Sequence, residues 1–322
     1  MDRYRLSSQV ALIAGLAVTT AAVIWFAGAG RPLAQALLFV CPGLAFTGML
    51  LLGSDQILER LQKSVSAEPV IIALVPVFLW ALYVIFAAGM GIATVSALAT
   101  MAVYLSIPFL AFAVWPKAEP LVILWTWLPL ELGVVRRILI THAPGTDLHY
   151  PFAQLLAIDA GIVAFIVWNR TPNTGYRFEF HRTFLRAGLA NFFMFAVIAI
   201  PVGFAIDFIH YSFTLQKLYR AIPVFAGIFL FTALPEEFLF RGLIQNWIER
   251  STGRRVISLL AASIIFGASH LNNGPPIPNY RYFLMASIAG IFYGSAWMST
   301  GSLMASALTH ALVDTVWSVV FR

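Results

Sequence analysis

The sequence is poor in charge and in cysteine. Only 11% of its 322 residues are Asp, Glu, Lys or Arg, 60% are apolar, and the mean hydropathy is +0.85. A soluble domain carries roughly a quarter charged residues, so a chain this apolar cannot cover its surface for water, and its solvent is lipid. Cys41 is the single cysteine, which excludes an intrachain disulfide framework and a cysteine-ligated metal site; within an apolar run it reads as a small core residue. There is no internal repeat and no low-complexity segment, which weakens a transporter built on inverted repeats. No HExxH zinc helix is present. The ends carry neither a lipidation box nor an organelle-retention signal, so the default address is the bacterial cytoplasmic membrane.

What is present is a series of uncharged runs, each near the roughly 20 residues that cross a hydrocarbon core of about 30 Å. They predict an all-α, polytopic transmembrane helix bundle. Spans are expected near Gln9 to Ala29, Leu33 to Leu52, Pro69 to Met90, Ala93 to Trp115, Pro151 to Trp168, Ala187 to Ile209, Ile222 to Trp247, Val256 to Leu271, Tyr282 to Met298 and Leu303 to Phe321. The first run exceeds a signal-peptide core of about 7 to 15 residues and reads as an uncleaved helix. Pro120 to Val135 carries Glu131, ends at Arg136 and Arg137, and either spans, dips back or lies in the interface. The count is ten membrane segments, or eleven if that stretch crosses.

The formal charge of +6 and pI near 9.7 suggest nucleic acid at first sight. The basic residues, however, fall in short clusters between apolar runs, the pattern that orients membrane helices, so no nucleic-acid partner is expected. The clusters Arg170, Arg177, Arg182, Arg186 and Arg250, Arg254, Arg255 are separated by two spans and share a side, expected to be cytoplasmic. Arg3, Arg5, Arg60 and Lys63 join them only if Pro120 to Val135 crosses, which favours eleven. His270 then lies toward the extracytoplasmic end of its helix.

Two regions differ in chemistry. Residues 1–185 read as membrane scaffold helices, whose runs from Gln9 to Trp115 hold charges only in loops. Residues 186–322 place ionisable groups inside apolar helices, where each costs about 2.5 to 3.5 kcal/mol at the helix centre and needs a partner or a task. In Pro235-Glu236-Glu237-Phe238-Leu239-Phe240-Arg241, Glu237 and Arg241 share a face in the favourable order and should pair. Glu236 is rotated about 100° away and can face another helix. Pro235 removes a backbone donor and should bend the helix beside the pair. Phe266 and His270 share a face at the end of an apolar helix, where the ring can wall the imidazole from lipid. His310 and Asp314 stand one turn apart in the last span. Gly290 and Gly294, spaced G-x-x-x-G, predict close helix packing rather than chemistry. Asp159 and Asp207 read as polar lining or helix-end hydrogen-bonding groups.

Two glutamates, two histidines and an aspartate on three membrane helices supply what a water-activating hydrolytic site needs: a base, a second proton carrier, and groups facing a developing oxyanion. Glu236-Glu237-x-x-x-Arg241, Phe266-x-x-x-His270 and His310-x-x-x-Asp314, in that order, resemble the CAAX protease and bacteriocin-processing family, which includes the CAAX prenyl endopeptidases and bacterial Abi proteins. The resemblance covers Leu218 to Arg322 and reaches back at most to Arg186.

It implies a glutamate-dependent intramembrane endopeptidase acting on a membrane-associated or lipid-anchored protein or peptide. Carried over by position, Glu236 is the base that activates water, His270 its proton-handling partner, and His310 with the residue four on stabilises the oxyanion, while Glu237, Arg241 and Phe266 support the site. That last position is often Asn in the family. Here it is Asp314, which as an ionised carboxylate cannot donate to an oxyanion and so is protonated, orients His310, or ligates a metal. The preferred mechanism requires no cofactor; the alternative is a divalent metal such as zinc held by Glu236, His270, His310 and Asp314.

Two rival readings remain. A proton-coupled transporter would use Asp159, Glu236 and the histidines as a relay. A non-enzymatic membrane scaffold or immunity protein would keep the fold without needing Glu236.

Overall fold

The computed structural model describes residues 4–5, 7–30, 32–139 and 149–321. The chain is an all-α, polytopic helix bundle that divides into two compact units, one on residues 5–172 and one on residues 173–322 together with residues 1–4. Arg3 and Arg322 lie outside the described residues.

In the first unit the main helices are α1 (Ser8–Gly28), α2 (Leu33–Leu52), α3 (Asp55–Ala67), α4 (Pro69–Gly89), α5 (Val95–Val114), α6 (Glu119–Glu131) and α7 (Pro151–Trp168). Ser7 starts α1 by accepting a hydrogen bond from the Val10 backbone N–H at 3.2 Å, satisfying one of the donors a helix leaves free. Small residues set the α1–α2 spacing. A Cβ added at Gly15 would lie 2.2 Å from Thr47 Oγ1, and one at Gly43 would lie 2.2 Å from Thr19 Oγ1. The two threonine hydroxyls donate back to Gly15 O and Gly43 O at 2.7 and 2.8 Å, so neither is left unpaired in the apolar interface. Helix α3 is amphipathic and ties to α7 where Gln62 Nε2 donates to Ile166 O at 2.9 Å. Helix α7 is buried along nearly its whole length; Phe152 and Phe165 meet Phe86 and Phe112 edge-on at 5.1 and 5.0 Å.

The second unit contains α8 (Arg182–Ala205), the 32-residue α9 (Ala221–Thr252), α10 (Arg255–Ala268), α11 (Tyr280–Thr300) and α12 (Leu303–Val320). Asn279 Oδ1 and Ser302 Oγ cap α11 and α12, accepting from Tyr282 N at 3.0 Å and Met304 N at 3.2 Å. Gly253 and Gly301 end α9 and α11 in the left-handed conformation, at φ +68° and +67°, which a side chain would oppose. Helices α10 and α11 pack through glycine: a Cβ at Gly267 would stand 2.0 Å from Ser287 Oγ, and one at Gly290 would stand 2.9 Å from Ser263 Cα.

Among the described residues eight helices are long and apolar enough to cross a membrane: α1, α2, α4, α5, α7, α8, α9 and α12. The other two expected spans fall on α10, which has 14 residues, and on α11, whose 21 residues include polar Ser, Thr and Tyr side chains. Pro120 to Val135 is not one helix. Its α6 portion has 13 residues, roughly 20 Å at 1.5 Å per residue and short of a hydrocarbon core. Pro235 does not break α9. The helix runs through it and widens to π-helical hydrogen bonding on both sides, at Phe229–Ala233 and Phe238–Gln245. A missing N–H and a ring pressing on the preceding turn are absorbed by lengthening the ladder, a distortion frequent at functional sites.

Candidate active site

The α-helical turn Leu234–Glu237, between the two π-helical stretches of α9, carries two adjacent glutamates into different surroundings. The Glu237 side chain is fully buried, whereas that of Glu236 keeps 20% of its exposure. Rotation by about 100° along one helix is enough to separate them.

Glu237 is the hub of the buried cluster. Arg241 Nη1 donates to Glu237 Oε1 at 3.1 Å, and Arg241 Nη2 donates to the Gly290 carbonyl at 3.1 Å. Ser306 on α12 donates to Glu237 Oε2. His310 Nδ1 lies 2.8 Å from Glu237 Oε1; since a carboxylate only accepts, that ring nitrogen carries the proton. The guanidinium lies 4.7 Å from the Phe266 ring centroid and 5.3 Å from that of Tyr293, whose faces accept positive charge in a dry environment. A charge pair here is sustained only because nearly every oxygen and N–H has a partner.

The other edge of His310 faces the less buried side. Its Nε2 is 3.3 Å from Asp314 Oδ2 and 3.9 Å from Glu236 Oε2, the latter an electrostatic contact too long for a direct hydrogen bond. Tyr293 stacks on the His310 ring at 4.5 Å with 14° between planes, and Phe266 stands edge-on to it at 5.7 Å. The imidazole is therefore fixed in position, in plane, and in which nitrogen points at Glu236.

His270 lies beyond the end of α10. Its Nδ1 is 2.8 Å from the Phe266 carbonyl, an acceptor only, so Nδ1 donates and Nε2 of the neutral ring keeps its lone pair. Phe266 touches the His270 ring at 4.8 Å as well as that of His310, which puts one phenyl ring against both histidines. The loop after His270 is drawn back by Asn279 N donating to Leu271 O at 2.6 Å and Asn279 Nδ2 to Asn273 O at 2.9 Å.

The structure thus brings Glu236, Glu237, Arg241, His310 and Asp314 together, with Phe266 packed on His310 and Arg241, and places His270 next to them through the shared Phe266 ring. Asp207 ends α8 at an exposed position, 3.6 Å from His210 Nε2 and bonded through its carbonyl to Arg281 at 2.9 Å. Asp159 belongs to the other unit, is buried, and has no hydrogen-bonded partner on Oδ1 among the described residues. Three contributors were missed by the sequence reading. Ser306 stands one turn before His310, and Tyr293 and Gly290 share a face of α11. The first had a signal, a small polar residue on the His310 face of an apolar helix; Gly290, read as packing, also lends its carbonyl to Arg241.

Among the described residues no group of three or more His, Cys, Asp or Glu side chains is arranged to hold a metal ion, the set Glu236, His270, His310 and Asp314 included.

Residues 218–316 of this integral, multi-pass membrane protein match the family described as type II CAAX prenyl endopeptidase, Rce1-like, over the stretch that holds the motifs named above. The chain is also 29% identical over 103 residues to "Uncharacterized protein YpbD" of Bacillus subtilis (strain 168), a stretch that is 32% of this chain and 48% of that protein. The chain thus spans about half the length of that relative. No solved structure matches it.

Proposed function

We propose that the cluster on α9, α10 and α12 is the active site of an intramembrane endopeptidase in which Glu236 activates water against a peptide bond of a membrane-associated or lipid-anchored protein. The observation that carries this reading is the asymmetry of the glutamate pair. Glu237 is sealed and fully engaged, while Glu236 is part-exposed and lies 3.9 Å from a histidine whose orientation Glu237 fixes.

In this mechanism Glu236 accepts a proton from water as the water oxygen attacks the carbonyl carbon. The carbonyl oxygen, becoming an oxyanion, faces His310 Nε2–H, a donor held in place before the reaction begins. Asp314 serves by orienting His310: a carboxylate at 3.3 Å from Nε2 favours the protonated ring. His270, its Nδ1–H spent on the Phe266 carbonyl, takes at Nε2 the proton that Glu236 removed from water and passes it to the leaving amine as the C–N bond breaks, which returns Glu236 to its carboxylate form. The bacterial cytoplasmic membrane is the proposed location, with the site reached by substrate from within the bilayer.

The test is cleavage of a membrane-anchored peptide library by the full chain in nanodiscs, with and without chelator, beside Glu236→Gln. Cleavage that persists in chelator and disappears in the variant is the expected result. Cleavage that survives Glu236→Gln overturns the assignment of the base, and cleavage abolished by chelator overturns the metal-free mechanism.

A further inference from the structure

Behind the catalytic cluster, away from Glu236, the interface between α9 and α11 holds polar atoms that the chemistry above does not use. Arg241 Nε, both amide atoms of Gln245 and Trp297 Nε1 are buried and have no hydrogen-bond partner among the described residues. Arg241 and Gln245 themselves have no exposed surface. Such groups are rare in folded proteins, and each is a loss unless something satisfies it.

Their placement is ordered. Arg241 reaches α11 at Gly290, through the 3.1 Å bond from Nη2 to its carbonyl. Gln245, one turn further along α9, reaches α11 one turn further along: a Cβ at Gly294 would stand 2.6 Å from Gln245 Oε1. Trp297 follows on α11, its indole nitrogen 2.8 Å from where a Cβ on Gly175 would stand, and Gly175 in turn would meet the Gly301 carbonyl at 2.7 Å. The groups form a line from the Gly175 and Gly301 end of this unit inward to Arg241. Donor groups along it outnumber the single acceptor, a surplus that water can take up. The Arg241 and Trp297 N–H groups only donate, and Gln245 offers one acceptor and one NH2. A water beside Arg241 would accept from Nε–H and donate to Gln245 Oε1; a second would accept from Trp297 Nε1–H and from Gln245 Nε2–H. Two to four polar partners are what a buried water needs.

We propose that Arg241, Gln245 and Trp297 hold a short file of buried water between α9 and α11, with Gln245 as its central ligand. The water fixes Arg241, and through it Glu237 and His310, so Gln245 is a positioning residue. That consequence for hydrolysis rests on the endopeptidase reading; the binding of water does not.

The experiment is radiolytic hydroxyl-radical labelling of the full chain in nanodiscs, read by mass spectrometry, because buried aromatics are labelled when bound water lies beside them. Trp297 and Tyr293 should label severalfold more than Tyr83, an equally buried tyrosine of the other unit. In Gln245→Met, similar in length but apolar, the Trp297 signal should fall to the Tyr83 level. Glu236→Gln should lose cleavage while keeping the labelling, which separates failure of the hydrolase reading from failure of this one. The melting temperature gives a second readout of opposite sign. Removing a ligand of bound water leaves Arg241 Nε unpaired and lowers it, whereas replacing a dry, unpaired amide by a thioether raises it. Trp297 labelling no stronger than that of Tyr83, labelling unchanged in Gln245→Met, or a raised melting temperature overturns the proposal.

Discussion

Both units turn Ser and Thr hydroxyls back onto their own helices, as Ser287 does to Phe283 O at 2.7 Å, and they differ in the ionisable groups that the second places between helices. In residues 5–172, Thr19, Thr47 and Thr126 each turn their hydroxyl back to the carbonyl four residues earlier in the same helix, at 2.7, 2.8 and 2.8 Å. In residues 173–322, Arg241 bonds to a carbonyl of α11, and Glu237 takes hydrogen bonds from Ser306 and His310 of α12, 69 and 73 residues away in sequence. Bonds within one helix form as soon as the helix does and ask nothing of its neighbours. Bonds between helices hold ionisable groups that have no satisfactory place until three helices are assembled. Their survival in the apolar interior marks where stability has been set against chemistry. Asp159 is the one buried carboxylate among the described residues of the first unit that breaks its pattern.

The largest expected effect is on cleavage. Glu236→Gln keeps shape and hydrogen-bonding capacity but removes the base, and should lower kcat by about 10²- to 10⁴-fold with the melting temperature little changed. Assayed side by side, a loss of fold in this variant would make Glu236 a bracing residue like its neighbour and erase the asymmetry of the pair.

Next in size is Arg241→Met, which leaves the Glu237 carboxylate buried without its cation. Denaturation of the protein in detergent should show a loss of about 3–5 kcal/mol, the usual result of removing one partner of a buried pair. A loss no larger than that of an exposed arginine would mean that Glu237 is carried by Ser306 and His310 alone.

Ser306→Ala removes a neutral donor to a charged acceptor and should cost about 1.5–3 kcal/mol by the same measurement. Because Ser306 also lies 2.8 Å from the Tyr293 carbonyl, its loss should loosen the ring stacked on His310. Tyr293 fluorescence anisotropy in a variant lacking the other site aromatics offers the finer check.

The smallest effect belongs to Asp159→Asn. If the first unit is chemically silent, cleavage stays within about twofold of the parent, the spread of independent sites near 0.3–0.5 kcal/mol. A hundredfold loss would break the comparison outright and return Asp159 to a proton relay with Glu236.

Much of this was legible beforehand. The spans follow from uninterrupted apolar length, and the partnership of Glu237 with Arg241, of Phe266 with His270 and of His310 with Asp314 follows from residues four apart sharing a helix face. Pro235 was legible as a disturbance but not as a widened helix, because whether a ladder bends or lengthens depends on what packs beside it. Ser306, Tyr293 and the Gly290 carbonyl carried no reliable sequence signal, since each matters only through a contact between separate helices. Glycines 290 and 294 illustrate the limit: their spacing announced close packing, and only the packed α9 showed that an arginine and a glutamine use the space.

By itself, then, the sequence determined the solvent of this protein, its helices, and which ionisable groups share a helix face, because hydrophobic length and a 3.6-residue period are properties of a single segment. The tertiary structure decided which glutamate is sealed and which is open, what Nδ1 of each histidine bonds to, and what holds Arg241. Those depend on where one helix lies against the next, at separations along the chain over which no periodicity reaches.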